Sequence, residues 1–432
     1  MADQADTPSA LDDIRVLDLA GEAGMYCTKL LAELGADVVK IEPPGGDPAR
    51  GIGPFYHDEG NPNRSLYFFA LNSSKRSITL DITTTDGQTL FKRLLAKADV
   101  VVETFQPGYL DGLGLGYAEL CRVKPEVILC SITGFGQWGP HSRYQAPDIV
   151  PVAMSGIMYL AGFPDIAPSY AYGNQSHYCG SIQATAGILM ALLRRDATGE
   201  GQQVEVSRQE ALSINQETAI QYWDIRHELR RRVGAEKRMP GMGLYECKDG
   251  YVMLMVGLPG FGSPWPTLVQ LMEDEGKAED LQEERWRNPL AEVSMQLISQ
   301  LFSLEVDPEW VAFWKDRLSH IEEVLVRFLL GYTKRELYEE GQKRGLLIAP
   351  VNNPKDIVES PQLDYRRWFT PVEYPDLGTT IAHPGPPYRL SETPWRVQRR
   401  ASQVGEHNHE IYCGELGLSK EQLSTLSTEG II

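Results

Sequence analysis

The sequence is short of everything that would direct it to nucleic acid, a membrane or an oxidising compartment. Its 41 Lys and Arg are outnumbered by 59 Asp and Glu, leaving a net charge of -18. Nucleic acid and anionic membrane surfaces repel such a chain at long range, so neither is expected as a partner. A small anionic ligand stays possible, because a few local basic groups can bind one. No apolar run approaches the roughly 18 residues that a membrane span needs. The opening Met1-Ala2-Asp3-Gln4-Ala5-Asp6 is polar and acidic, unlike a secretory leader. The six cysteines are scattered, without the paired spacing of zinc or redox sites, and predict reduced thiols in a cytoplasmic protein. Metal-ligand spacing, a phosphate-binding loop motif, internal repeats and low-complexity tracts are missing as well.

What is present is an alternation of short apolar runs and helical periods. Ile14 to Ala20 reads as a buried strand, broken by Gly21, and Cys27 to Leu34 has helical spacing. Asp37 to Ile41, Ser77 to Ile82, Asp99 to Glu103 and Val127 to Thr133 are further strand candidates, with helices over Gly87 to Ala98 and Tyr117 to Val123. Strand, helix, strand at this spacing predicts crossover units and an α/β, mostly parallel, doubly wound sheet, with ligands at the carboxyl ends of its strands. Gly180 to Arg195 predicts a buried helix, Gln203 to Ser207 a strand, and Arg208 to Arg232 a helix with a basic end. From roughly Pro240 the texture changes to Gly-rich turns, a hairpin-like Leu244 to Tyr251 and tryptophan-bearing helices, which predicts a second, smaller domain. The tail from about Gly345, with Ala382-His383-Pro384-Gly385-Pro386-Pro387, suits an extended wrapping segment.

A series of segments in unbroken order carries a resemblance. They are Val16-Leu17-Asp18, Leu34 to Arg50, Asn72 to Asp81, Val102 to Gly108, Gly134-Phe135-Gly136-Gln137, Thr198-Gly199-Glu200-Gly201-Gln202, Ser391-Glu392-Thr393-Pro394 and Gly405-Glu406-His407. Together they resemble the class III coenzyme A transferases, a family that includes α-methylacyl-CoA racemase. The resemblance implies a Rossmann-like large domain built from both chain ends, 1–225 and 341–432, with a small α+β domain over 226–340. It also implies an interlocked dimer. Coenzyme A or acyl-CoA would be substrate rather than bound cofactor, lying near Ala20, Gly21, Glu22, Leu80 and Thr104. The Gly-rich run Gly257 to Gly262 stands where family members carry a loop over the active site, and a plain hairpin loop is the alternative.

In that family an aspartate attacks the acyl-CoA thioester and carries acyl and CoA groups in turn, chemistry that needs a carboxylate nucleophile. The resemblance brings Gly173-Asn174 to the place of its Gly-Asp pair. An amide cannot substitute, since its nitrogen lone pair is delocalised and it carries no charge. No Asp or Glu occurs between Asp165 and Asp196, so the register does not matter. Pro43, Thr104 and Gly112 replace polar residues common among relatives, which predicts an altered CoA pocket. Asp148 is the rescue candidate for a nucleophile, but it follows Pro147 and precedes a helical run, so an N-cap role is the simpler expectation. His177 lacks a carboxylate neighbour in sequence and is expected to be a satisfied polar residue. The racemase pair fails, because Pro147 and Asn174 stand at its acid/base positions.

The expectation is therefore a catalytically silent subunit of a CoA-transferase acting on dicarboxylic acids. Its partner would be a homologous active chain, in a heterodimer or heterotetramer. It is similar in this to two-subunit family members that move CoA from succinyl-CoA to an aryl- or alkylsuccinate such as benzylsuccinate. Two alternatives stay open: an active homodimer using a carboxylate such as Asp148, and an acyl-CoA-binding protein without chemistry.

Overall fold

The computed structural model describes residues 7–216, 218–232, 240–257, 263–287 and 308–432. The chain forms two compact units. One comprises Met1–Leu160, Pro168–Arg231 and Gln362–Ile432, and the other Ala161–Ala167 and Arg232–Pro361.

The larger unit is built on a parallel sheet of β1 (Arg15–Leu19), β2 (Asp37–Glu42), β3 (Arg76–Thr79), β4 (Val100–Glu103), β5 (Ile128–Thr133) and β6 (Gln203–Ser207). Its order is β3-β2-β1-β4-β5-β6, and every neighbouring pair is parallel. The order reverses between β1 and β4, and in open α/β sheets that reversal leaves a crevice at the strands' carboxyl ends. Val16, Val38, Val100, Val102, Ile128 and Ile132 pack on one face against Leu31, Ala184, Ile188 and Leu192. Leu17, Val39, Ile78, Val101 and Leu129 pack on the other, against Leu90, Phe91 and Leu94 and the C-terminal Ile411, Tyr412, Ile431 and Ile432. This two-sided burial explains why the strands read as continuous apolar runs rather than alternating ones.

The return of the C-terminus is fixed by specific bonds as well as burial. The amide of Asp81 donates to the Ile431 carbonyl at 2.7 Å, and the Tyr412 hydroxyl donates to the Thr79 carbonyl at 2.7 Å. The expected extended tail contains more structure than its Pro and Gly content suggested. β10 (Phe369–Tyr374) and β11 (Thr379–Pro384) form an antiparallel hairpin, and Lys420–Thr428 is helical behind a Ser419 capping box. Val372 and Tyr374 alternate into the core, a period of two that the neighbouring prolines obscured.

Arg208 to Arg232 also differs from expectation. It divides into helix Arg208–Ser213, a short 3-10 turn and helix Ala219–Arg226, which ends where His227 turns left-handed at φ 56°. Only Arg226 lies in the last helical turn. Arg230 stacks over Tyr222 instead, 4.4 Å from the ring centroid.

The smaller unit is an α+β body. β7 (Met242–Cys247) and β8 (Gly250–Met255) form the hairpin around Lys248-Asp249, and β9 (Ile348–Pro350) adds antiparallel to β8. Tyr245, Val252 and Leu254 pack on Leu268, Met272, Ile321, Leu325 and Phe328. Residues 258–262, most of the expected Gly-rich loop, lie outside the described residues. No described helix is long and apolar enough to cross a membrane.

A buried polar cluster sets the exit of β1. Lys75 Nζ donates to Asp18 Oδ2 (3.1 Å), Thr28 Oγ1 (2.8 Å), Asn72 Oδ1 (2.8 Å) and the Met25 carbonyl (3.0 Å). Asp18 Oδ1 accepts from the Ala20 amide at 3.0 Å. Burial acts to raise the Asp18 carboxyl, but the charges of Lys75 and Lys40 outweigh it and hold the group below the usual aspartate range. Removing one partner leaves the other charge buried and unpaired. Lys75→Met is therefore expected to lower the unfolding free energy by about 3–5 kcal/mol, read as a shift in a denaturant titration.

Candidate active site

Three chain segments converge at the switch point. β1 leads into Ala20-Gly21-Glu22, β4 leads into Thr104, and the long helix Gln175–Thr198 begins close by. The Gly21 amide donates to Thr104 Oγ1 at 2.9 Å, tying the two strand exits together. Gly24 allows this approach, because a Cβ there would lie 2.8 Å from Thr104 Cγ2. Next to the tie opens a cavity of about 460 Å³, whose wall includes Thr104, Phe105, Thr133, Tyr144 and Arg208.

Not every sequence-predicted residue reaches this cleft. Thr104 lines it, Gly21 is tied to it through the Thr104 hydroxyl, and the half-buried Glu22 precedes Ala23, which also lines it. Ala20 is fully buried, and its carbonyl accepts from Lys40 Nζ at 2.9 Å. Leu80 is 3% exposed and belongs to the apolar core under the sheet, so it offers no surface to a ligand.

Asn174 occupies the N-cap position of the long helix but does not cap it. Gly173 before it has φ 83°, a left-handed conformation that glycine adopts without strain and that turns the chain into the helix. The Asn174 side chain points instead to Glu22. Its Nδ2 donates to Glu22 Oε1 at 2.6 Å and to the Tyr67 hydroxyl oxygen at 2.9 Å. Tyr67 in turn donates to the same Glu22 oxygen at 2.8 Å. A carboxylate only accepts, so the amide nitrogen and not its oxygen faces Glu22. Burial and the Glu22 carboxylate push the Tyr67 phenol well above its ordinary value, so it remains a donor.

The capping is done from another segment. Asp148 was expected to cap its own helix, Ile149–Met154, but it makes no side-chain cap bond there. Its Oδ1 accepts from the Ser176 amide (2.8 Å) and the Ser176 hydroxyl (2.6 Å), so it caps the helix that starts after Asn174. Its Oδ2 accepts from the Tyr170 hydroxyl. Burial would raise this carboxyl, but the bonds from Ser176 and Tyr170 prevail and hold it below the usual aspartate value. Both Asp148 oxygens accept hydrogen bonds, and the residue anchors the start of the long helix.

Arg208 opens the helix after β6 and is only 6% exposed. It donates to Ser176 Oγ at 3.1 Å and to the Ala146 carbonyl at 2.6 Å. Burial lowers its guanidinium below the ordinary value, against the opposing charges of Asp148 and Glu22. His177 was expected to be satisfied, yet its buried Nδ1 has no hydrogen-bond partner among the described residues. It stands 4.0 Å from Glu22 Oε1, too far for a hydrogen bond. Burial first, and then Arg208, push His177 down to about 4, with Asp148 acting in the other direction. Sequence reasoning had missed Tyr67, Tyr170 and Arg208. Nothing in their local sequence indicates the site, because each arrives from an element distant in the chain.

Two expectations follow from this electrostatics. The His177 ring should stay neutral from pH 8 to 5.5 in an NMR titration. The unfolded chain takes up that proton near pH 6.5, so stability falls as pH drops towards about 4, and His177→Gln flattens the slope. Asp148→Ala should cost about 1.5–3 kcal/mol at neutral pH, the range for hydrogen bonds to a charged group. Because the Asp148 value is lowered on folding, its contribution is complete above the ordinary aspartate value of about 3.9. The gap between parent and variant therefore closes as pH falls below it, measured by thermal melts across acid pH.

Comparison with known proteins matches the CoA-transferase family III profile to residues 11–408. The chain is 34% identical over 406 residues to succinyl-CoA:(R)-benzylsuccinate CoA-transferase subunit BbsE of Thauera aromatica, spanning 93% of each chain. It is 32% identical over 447 residues to the formyl-CoA:oxalate CoA-transferase of Streptomyces coelicolor, spanning 99% of this chain and 100% of that one. A solved structure, a CAIB/BAIF family protein from Brucella suis, matches with a TM-score of 0.77 at 28% identity, covering 94% of this chain and 99% of that one. The family match reaches both the parallel-sheet unit and the smaller unit: this chain belongs to CoA-transferase family III, enzymes for which a CoA thioester is the substrate.

Proposed function

We propose that this chain is a subunit of a cytoplasmic CoA-transferase that moves CoA from succinyl-CoA to an aryl- or alkylsuccinate such as benzylsuccinate. In this reading the chain itself is catalytically silent. An active homologous subunit, interlocked with it as a heterodimer or heterotetramer, supplies the carboxylate nucleophile. The observation that carries the reading is Asn174. It stands at the N-terminus of the long helix Gln175–Thr198, where the family resemblance requires an aspartate, and its amide nitrogen is already bonded to Glu22 and Tyr67. That helix is not buried all round as expected, since Ile182, Met190 and Leu193 are exposed. Thioester attack needs a carboxylate with an oxygen free to reach the carbonyl carbon. Asp148, the rescue candidate, has both oxygens engaged. The similarity to a protein that is itself named as a subunit supports the partnered form. CoA would lie along the strand ends where Ala23 and Thr104 line the open cleft, next to Gly21 and Glu22, rather than over the buried Ala20 and Leu80.

The test is to incubate the purified chain with succinyl-CoA, trap any enzyme-bound acyl or CoA ester with borohydride or hydroxylamine, and read the intact mass. No adduct on this chain, with one on a co-expressed homologue, is the expected result. A trapped adduct on this chain would sink the silent reading, and peptide mapping would identify the carboxylate responsible.

A further inference from the structure

Silence at this site has an obvious remedy, the single exchange Asn174→Asp, and the geometry argues that it is insufficient. The residue facing position 174 is itself a carboxylate. Glu22 Oε1 lies 2.6 Å from Asn174 Nδ2, and its side chain is 35% exposed. The contact is short because an amide N–H meets an acceptor. With ionised carboxylates on both sides, two oxygens would face each other at that separation with no hydrogen between them. Like charges so placed cannot both ionise, and the pair retains a proton. Tyr67 cannot relieve the conflict, since it has one hydroxyl proton and already gives it to Glu22. His177 cannot neutralise it either, because its ring is held neutral and stands 4.0 Å from Glu22 Oε1. Lys75 and Lys40 are committed to Asp18 and Asp47. Arg208 donates to Ser176 and Ala146.

We propose that Glu22 is the positioning residue that holds this site off: a carboxylate at position 174 becomes a competent nucleophile only when residue 22 is a neutral hydrogen-bond donor. The inference rests on the silent-subunit reading and deepens it. The residues at 22 and 174 form one amide-carboxylate pair, and the Tyr67 hydroxyl bonds to both, donating to Glu22 and accepting from Asn174. Exchanging both restores the same hydrogen bond with its polarity reversed, leaving the new carboxylate oriented by a donor and free of a shared proton. The restored step is balanced without any redox partner. A carboxylate oxygen at 174 adds to the thioester carbonyl of succinyl-CoA, the C–S bond breaks, and CoA leaves as the thiolate while a mixed anhydride forms. The thiolate then attacks the enzyme-side carbonyl of that anhydride, releasing succinate and leaving CoA on residue 174.

Four full-length proteins decide it: the unaltered chain, Asn174→Asp, Glu22→Gln and the double variant, each checked by thermal melt and treated with succinyl-CoA and hydroxylamine. The double variant is expected to give an adduct mapped to position 174 at least about tenfold faster at pH 7 than Asn174→Asp alone, a factor equal to one unit of carboxyl shift. The rate of the single variant should climb with pH as the shared proton leaves, while that of the double stays flat between pH 6 and 8. A purely structural role for Glu22 would not separate these profiles. Equal rates and equal pH profiles for the single and double variants overturn the proposal, and so does a folded double variant that gives no adduct. The silent reading fails by a different result, an adduct on the unaltered chain.

Discussion

The exit of β1 is the constraint on which the rest of the site depends. Asp18, the penultimate residue of that strand, is fully buried and would be costly there as a lone charge. Lys75 meets it from the far side of β2, Thr28 donates to it from the first helix, and the Ala20 amide closes on its other oxygen. This fixes the direction in which Gly21 and Glu22 leave the sheet, and the bond from Gly21 to Thr104 passes that position on to β4. The switch point thus acquires its shape from a buried ion pair that never faces solvent.

The second half of the site depends on the long helix Gln175–Thr198, whose N-terminus is capped from outside. Because Asp148 caps it through Ser176, the side chain of Asn174 is released from the usual N-cap duty and turns to Glu22. Arg208 shares Ser176 as a partner, so the carboxylate, the hydroxyl and the guanidinium form one chain of bonds behind the cleft. The outcome is a polar wall with charges of both signs and little freedom, in which Asp148 serves the fold.

Much of the fold was legible because it depends on local pattern. Asp37 to Ile41 and Val127 to Thr133 are apolar enough to be central strands, and they are β2 and β5 within a residue at each end. The helical period of Gly87 to Ala98 placed Leu90, Phe91 and Leu94 on the sheet. Where the reading missed, a long-range contact decided. The segment after Arg208 was long and helical in composition but is broken by a 3-10 turn, and the proline-rich tail hides a hairpin whose alternation is held by packing on Phe69 and Ala401. Leu80 looked like a strand-end residue by its place after β3, yet it is core, because its amide still bonds to the Glu42 carbonyl and keeps it under the sheet.

The sequence by itself determined the family, the parallel sheet and the absence of any carboxylate between Asp165 and Asp196. These are properties of residue identity and spacing, and one-dimensional order suffices to read them. Only the tertiary structure decided that Asp148 is an anchor and that Glu22 is the partner of Asn174. Those two residues are 152 positions apart, and no local pattern encodes their contact. A hydrogen bond forms between atoms within about 3 Å, and for residues on different elements that proximity is created by the packing of β1 and the long helix, not by the residues themselves.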